Sequence, residues 1–306
     1  MEWIIVVLLC GIMGLLGYLV VQHRRNEAYL DGIIAYLMKV QDRNVLPEMK
    51  EQVEGKRGIL QSELYKLASA LQEQYARETE KNRYLAEMLS NVSHQIKTPL
   101  TAITIMTDLL KSDTLSEADR RQCVSRIVGQ TDRITWLVKT LLTLARLDAE
   151  VLSFKQEQVE IEELIDSIYD TLAVLAELKG VALEKEIPEG MQVICDRQWT
   201  REALLNIVKN CLEHTGEGGR VGVMVSQSNL ATDLIIWDTG TGICPEDLPH
   251  IFERFYQGKQ ADSGSVGIGL ALSEQIIRKQ NGNIAVESRE RQGTKFSIRL
   301  YHTKTV

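Results

Sequence analysis

Residues 3–21 form one uncharged, mostly apolar run, and nothing else in the chain restricts its folding as much. As a helix, about 19 residues reach roughly 28 Å, close to the ~30 Å hydrocarbon core of a bilayer. A membrane-spanning helix is therefore expected. A cleaved signal peptide would need a basic start and a small-residue cleavage site, but Met1 and Glu2 precede the run and no such site follows it. His23, Arg24 and Arg25 come directly after it. By the positive-inside rule they predict a single-pass protein of the cell membrane, with the N-terminus outside and the C-terminal bulk in the cytoplasm. Almost nothing is then left outside.

The length of 306 residues allows about two to three domains. A net charge of −7 lacks the basic excess of a nucleic-acid binder, so no nucleic-acid partner is expected. Cys10, Cys123, Cys195, Cys211 and Cys244 are scattered without a C-x-x-C pair, which predicts reduced thiols. The histidines show no metal-ligand spacing, which disfavours a transition-metal enzyme.

Beyond the apolar run, helical periodicity over 27–43 (Tyr29, Leu30, Ile33, Ile34, Leu37, Val40) gives way to a break at 44–58 containing Pro47, Gly55 and Gly58. Leu60, Leu64, Leu67, Leu71, Leu85, Met88 and Val92 then share a and d positions of one heptad frame, which favours a parallel dimer; an ordinary amphipathic helix in a bundle fits the same pattern. A turn over 112–120 and a second long helix through Ile127, Ile134, Leu137, Leu141, Leu144 and Leu147 complete a helical hairpin, with Ser116 and Asp119 spaced as a capping box. After Asp148, β-branched runs at 181–187, 221–227, 234–237, 284–288 and 295–300 alternate with helical segments at 160–177, 197–213 and 267–281. The expected architecture is multidomain: a transmembrane helix at 1–23, a helical signalling linker at 24–80, an antiparallel hairpin at 81–150 that makes a four-helix bundle in the dimer, and a C-terminal α/β sandwich at 151–306 with helices on one face.

Within the hairpin, His94 precedes Pro99 by five positions. Proline cannot donate the bond that the Gln95 carbonyl would accept, so the helix is expected to bend beside His94 and expose it as a candidate nucleophile. In the second half, Asn206 and Asn210 stand at i, i+4 on one helical face, with Glu202 a turn earlier. Their carboxamide oxygens suit Mg²⁺, although a solvated polar face reads the same way. An apolar strand delivers Asp238, followed by Gly240 and Gly242; the carboxylate could accept from the amine of a flat base, or the segment could be an ordinary turn. Gly267 and Gly269 with Leu270 open a helix whose start can bind phosphate, without the context of a Rossmann fingerprint or a P-loop.

Over roughly 80–302 these residues resemble a bacterial sensor histidine kinase. The run His94, Gln95, Ile96, Lys97, Thr98, Pro99, Leu100 resembles the H box. Asn206 and Asn210 with Glu213, His214 and Thr215 resemble the N box, and Asp238, Gly240 and Gly242 the G1 box. Phe252, Glu253, Arg254, Phe255 and Tyr256 resemble the F box, and Gly267, Gly269 and Leu270 the G2 box. The resemblance implies a dimerising phosphoacceptor hairpin, of the HisKA type, and a Bergerat-type (GHKL) ATP-binding domain. ATP with Mg²⁺ would phosphorylate His94, and the phosphoryl group would pass to an aspartate of a cognate response regulator.

Carried over, Asn206 and Asn210 contact Mg²⁺-ATP, with Asn210 as the metal ligand, and Asp238 accepts from adenine. His214, Gly240, Gly242, Phe252, Arg254, Lys259 and Leu270 belong to the nucleotide site, while Gly267 and Gly269 hinge an ATP lid over 257–266. Thr98 would hold a water for dephosphorylating the regulator, and Thr101, Ile105 and Asp108 would face it. Three positions depart from the family pattern: Gln95 replaces an acidic residue, while Glu213 and Gln257 stand where basic ones are common. Lys209, Arg254 or Lys259 could supply the missing charge. With a single span and little outside it, the stimulus would come from the bilayer, from a membrane partner such as a transporter, or from the cytosol, through a HAMP-like linker. A scaffold that binds ATP with weak or no autokinase activity is the alternative.

Overall fold

The computed structural model of the chain describes residues 2–41, 55–112, 115–258 and 266–302. It divides into two compact units, Met1–Leu89 and Ser90–Val306.

In the first unit, α1 (Glu2–Gln41) is one continuous helix that joins the apolar run to the periodic segment expected after it. Its Trp3–Met38 stretch holds an 18-residue window of mean hydropathy 2.8 and is long and apolar enough to cross a membrane. The break expected at 44–58 falls largely outside the described residues, but Gly58 already lies within α2 (Lys56–Leu110). Near the start of α2, Tyr29 donates its hydroxyl to the Arg57 carbonyl (2.9 Å), and the Arg57 guanidinium stacks over the Tyr29 ring while bonding Asn26 Oδ1 (2.6 Å). Leu60, Leu67, Leu71 and Leu85 of the heptad seam are exposed on the single chain.

The second unit begins with the rest of α2, which passes through Pro99 without interruption. The Thr98 hydroxyl donates to the His94 carbonyl at 3.3 Å, and Thr101, Thr104 and Thr107 repeat the pattern, each bonding the carbonyl four residues back. His94 itself is exposed. The hairpin closes where Arg120 donates to the carbonyls of Leu110 and Ser112 (3.5 and 3.1 Å). Helix α3 (Glu117–Asp148) starts on the expected cap, with the Ser116 hydroxyl accepting from Asp119 N–H at 3.1 Å.

A five-stranded sheet follows, in the order β2-β4-β5-β7-β6, where β2 is Ala182–Glu186, β4 Arg220–Gln227, β5 Ala231–Asp238, β6 Gly282–Arg289 and β7 Gly293–Tyr301. Only the β2–β4 pairing is parallel. Helices α4 (Ile161–Lys179), α5 (Arg197–Glu213) and α6 (Gly269–Lys279) supply the apolar layer packed on it. Two short strands, β1 (Glu157–Glu160) and β3 (Gln192–Cys195), form a separate antiparallel pair. The core runs without a gap from Ile165, Ile207 and Ile276 to Phe296, and it takes in Leu137, Leu144 and Leu147 of α3. Each of those leucines is almost wholly buried, a gain of about 1.5–3 kcal/mol apiece.

Candidate active site

Strand β5 lies inside the sheet between β4 and β7 and ends on Asp238, so the sheet fixes the position of this carboxylate. Asp238 is 6% exposed. Its Oδ1 accepts from the Gly240 and Thr294 N–H groups at 2.8 and 3.3 Å, and the Cys211 thiol lies beside the carboxylate. Burial pushes the Asp238 carboxyl up from its ordinary range, while these hydrogen bonds and the nearby His214 oppose the shift. The following turn is pinned to the end of α5, where Thr241 N–H donates to the His214 carbonyl at 3.1 Å. A Cβ at Gly240 would strike that same carbonyl, so only glycine allows so close an approach.

Helix α5 is capped by Asp196, which accepts from Trp199 N–H at 3.0 Å. It buries Ala203, Leu204, Ile207, Val208 and Cys211 against the sheet. The opposite face turns Asn206, Lys209, Asn210, Glu213 and His214 into a cleft. Asn206 Nδ2 is buried there and has no hydrogen-bond partner among the described residues. Lys209 Nζ stands 3.7 Å from Glu213 Oε1, so its charge is partly balanced.

The far wall is the segment leading to α6. Tyr256 donates its hydroxyl to Asp247 Oδ1 at 2.7 Å. Phe255, held at φ +65°, donates its N–H to the Gly267 carbonyl at 2.7 Å and so brings together the two ends of the segment that joins them. Gly267 has φ +73°, and a Cβ there would meet the Tyr256 carbonyl. At Gly269 the nearest atoms to a Cβ belong to Asn206, at an ordinary 3.8 Å. Lys259, and 259–265 of the expected lid, lie outside the described residues.

These walls enclose about 590 Å³. The structure brings Asn206, Asn210, His214, Asp238, Gly242, Gly267, Gly269 and Leu270 together on this one cleft. Gly240 supports it from behind. Phe252 is half-buried against the core, and Arg254 is spent elsewhere: its guanidinium grips Asp148 at the end of α3 with two bonds of 2.6 and 2.7 Å. His94, Gln95 and Thr98 stand on α2, outside the cleft lining. Sequence reasoning missed Thr294 and the cleft's fourth wall, Gly129, Asp132, Arg133 and Trp136, which come from α3. Their i, i+3, i+4, i+7 spacing was the available signal, although a solvated helix face shows the same spacing.

The lining fits an adenine nucleotide. A buried carboxylate waits for an amine donor, backbone approaches closely at two glycines, and the Asn206 amide nitrogen has no hydrogen-bond partner among the described residues. Among the described residues no group of three or more His, Cys, Asp or Glu is placed to hold a metal ion by itself. A Mg²⁺ ion at Asn210 would thus draw most of its ligands from phosphate and water.

Fold and cleft together define an α/β ATP-binding sandwich joined to a helical hairpin that carries an exposed histidine. Residues 195–304 match the family model "Histidine kinase-, DNA gyrase B-, and HSP90-like ATPase", and residues 84–150 match the "His Kinase A (phospho-acceptor) domain". The chain belongs to the sensor histidine kinase family. It is 30% identical over 247 residues to the sensor histidine kinase YclK of Bacillus subtilis, covering 79% of this chain and 52% of that one. The chain spans about half the length of the curated relatives it matches. Among solved structures, full-length ShkA in complex with AMPPNP aligns with TM-score 0.53 and 26% identity over 72% of this chain and 47% of that one. The histidine kinase ThkA, in complex with the response regulator protein TrrA, shares the fold at TM-score 0.60 and 23% identity, over 76% of this chain and 66% of that one.

Proposed function

We propose that this protein is a membrane-anchored, dimeric kinase that phosphorylates its own His94 from Mg²⁺-ATP and passes the phosphoryl group to an aspartate of a response regulator. One observation carries the proposal. Asp238, the Asn206 and Asn210 pair and Gly267 converge on a single cleft, one wall of which comes from the hairpin that bears His94. Asp238 would accept from the adenine amine and Asn206 and Asn210 would hold the Mg²⁺-phosphate end, an arrangement favoured by the likeness to ShkA, whose structure contains AMPPNP. Mg²⁺ supplies neutralisation of phosphate charge when bound.

In the transfer, the His94 imidazole nitrogen attacks the terminal phosphorus. An N–P bond forms, the bond to the bridging oxygen breaks and ADP leaves. The ring proton goes to water, because the amide of Gln95 accepts a hydrogen bond but takes up no proton at neutral pH. Regulator phosphatase activity, with Thr98 placing the water, belongs to the same proposal. So does the division into an anchor at 1–23 with its N-terminus outside, a HAMP-like linker at 24–80 that conveys a signal from the bilayer or a membrane partner, a dimerising hairpin at 81–150 and an ATP-binding domain at 151–306.

The test uses the full chain in detergent or nanodiscs with radiolabelled ATP and Mg²⁺. An acid-labile, alkali-stable phosphate that disappears in His94→Ala supports the proposal. No label on the wild type sinks it and favours an ATP-binding scaffold.

A further inference from the structure

The nucleotide cleft is short of positive charge. Asp132, Glu213, Asp238, Asp247 and Glu290 all line it, whereas a nucleoside triphosphate brings about four negative charges of its own. Among the described lining residues the permanent cations are Lys209 and Arg133. Lys209 is partly neutralised by Glu213, and Arg254 is locked on Asp148 in a pair where its side chain is 10% exposed.

Arg133 differs from both. It sits mid-way along α3, and its Nε is buried with no hydrogen-bond partner among the described residues. A buried, unpaired guanidinium nitrogen is costly unless something else pairs with it. The neighbouring positions frame it: Gly129, one turn earlier, has open space around it, and Trp136, one turn later, packs on the core. Arg133 and His94 each lie about 16 residues, roughly 24 Å, from the hairpin end of their helices. Their levels along the hairpin therefore match.

We propose that Arg133, a hairpin residue, is a phosphate ligand of the nucleotide and supplies positive charge of which this acidic cleft is short. Nucleotide binding would then depend on the hairpin helix as well as on the ATP-binding sandwich. By reciprocity, bound triphosphate would strengthen the seating of α3 on that sandwich. The inference rests on the proposed binding of ATP in this cleft.

The experiment measures affinities of the full chain in nanodiscs for ATP, ADP and adenosine by calorimetry, for the wild type, Arg133→Met and Arg133→Lys. Methionine keeps the aliphatic bulk without charge. Arg133→Met should weaken ATP about tenfold, as expected for the loss of a charge-assisted bond, and leave adenosine unchanged. Arg133→Lys should recover most of the difference. An ATP-to-adenosine affinity ratio equal to that of the wild type overturns the inference, as does an equal loss for both ligands, which would mark Arg133 as merely structural. Failure of the wild type to bind ATP at all overturns instead the reading on which it rests.

Discussion

Asp238 is costly for the fold, and the proposed function makes it the acceptor for the ligand's amine. Its carboxyl is held above the ordinary range mainly by burial, so the folded chain binds that proton more tightly than the unfolded chain does. Its contribution to stability is thus fully present below the unfolded carboxyl's pKa and is lost as pH rises through the folded one. Two outcomes follow for Asp238→Asn: a ligand-free protein that melts higher at neutral pH, and calorimetric ATP binding that is abolished. In the wild type, ATP affinity should fall on mild acidification, at a higher pH than an unperturbed carboxylate would give, because the amine acceptor is most effective when ionised. At Gln95 the argument concerns rate. Gln95→Glu places a proton acceptor next to His94, and loss of a general base typically costs ~10²- to 10⁴-fold, so the initial rate of His94 labelling at saturating ATP should rise. An unchanged rate would show that water suffices.

At the scale of the element, the start of α6 separates two glycines that share one motif. Gly267 lies at positive φ with the Tyr256 carbonyl where a Cβ would go, so Gly267→Ala should cost about 1–3 kcal/mol from backbone strain alone and lower ATP affinity. Gly269→Ala meets only ordinary contacts and should melt within about 1 kcal/mol of the wild type, on the stable side. Thermal melts of the two variants, with and without ATP, decide this. Both glycines are equally visible in the sequence; which one is irreplaceable is not, because that depends on a carbonyl brought close by the fold. The same limit runs through the other elements. The bounds of α5 and the Ser116 cap were legible because periodicity and capping are local. Strands β1 and β3 were not, being four residues each with little apolar alternation. Arg254 read as a nucleotide contact because a charge in a sequence carries no distance, and its partner Asp148 lies over a hundred positions away. The α3 wall of the cleft was lost for a similar reason: a polar helix face looks the same whether it meets water or a phosphate.

Across the whole molecule, Arg254 and Asp148 tie the ATP-binding sandwich to the end of the hairpin, and Lys279 and Glu150 add a second, more exposed pair (2.6 Å). Asp148 is about half exposed, so a double-mutant cycle on Arg254→Ala and Asp148→Ala should give a coupling of only about 0.5–1 kcal/mol. A coupling near zero would mean that the leucines alone hold the two parts together. Those leucines have a wider effect. Because Leu137, Leu144 and Leu147 belong to the same core as Phe296, the hairpin helix and the sheet cannot melt independently without baring each other's apolar surface. Helix α3 and the sheet should therefore lose their structure in one cooperative transition, which coincident far-UV and near-UV melts of the wild type would check. A substitution deep in the sheet, such as Phe296→Ala, should then lower the melting of the helix opposite His94 by as much as that of the strand it occupies.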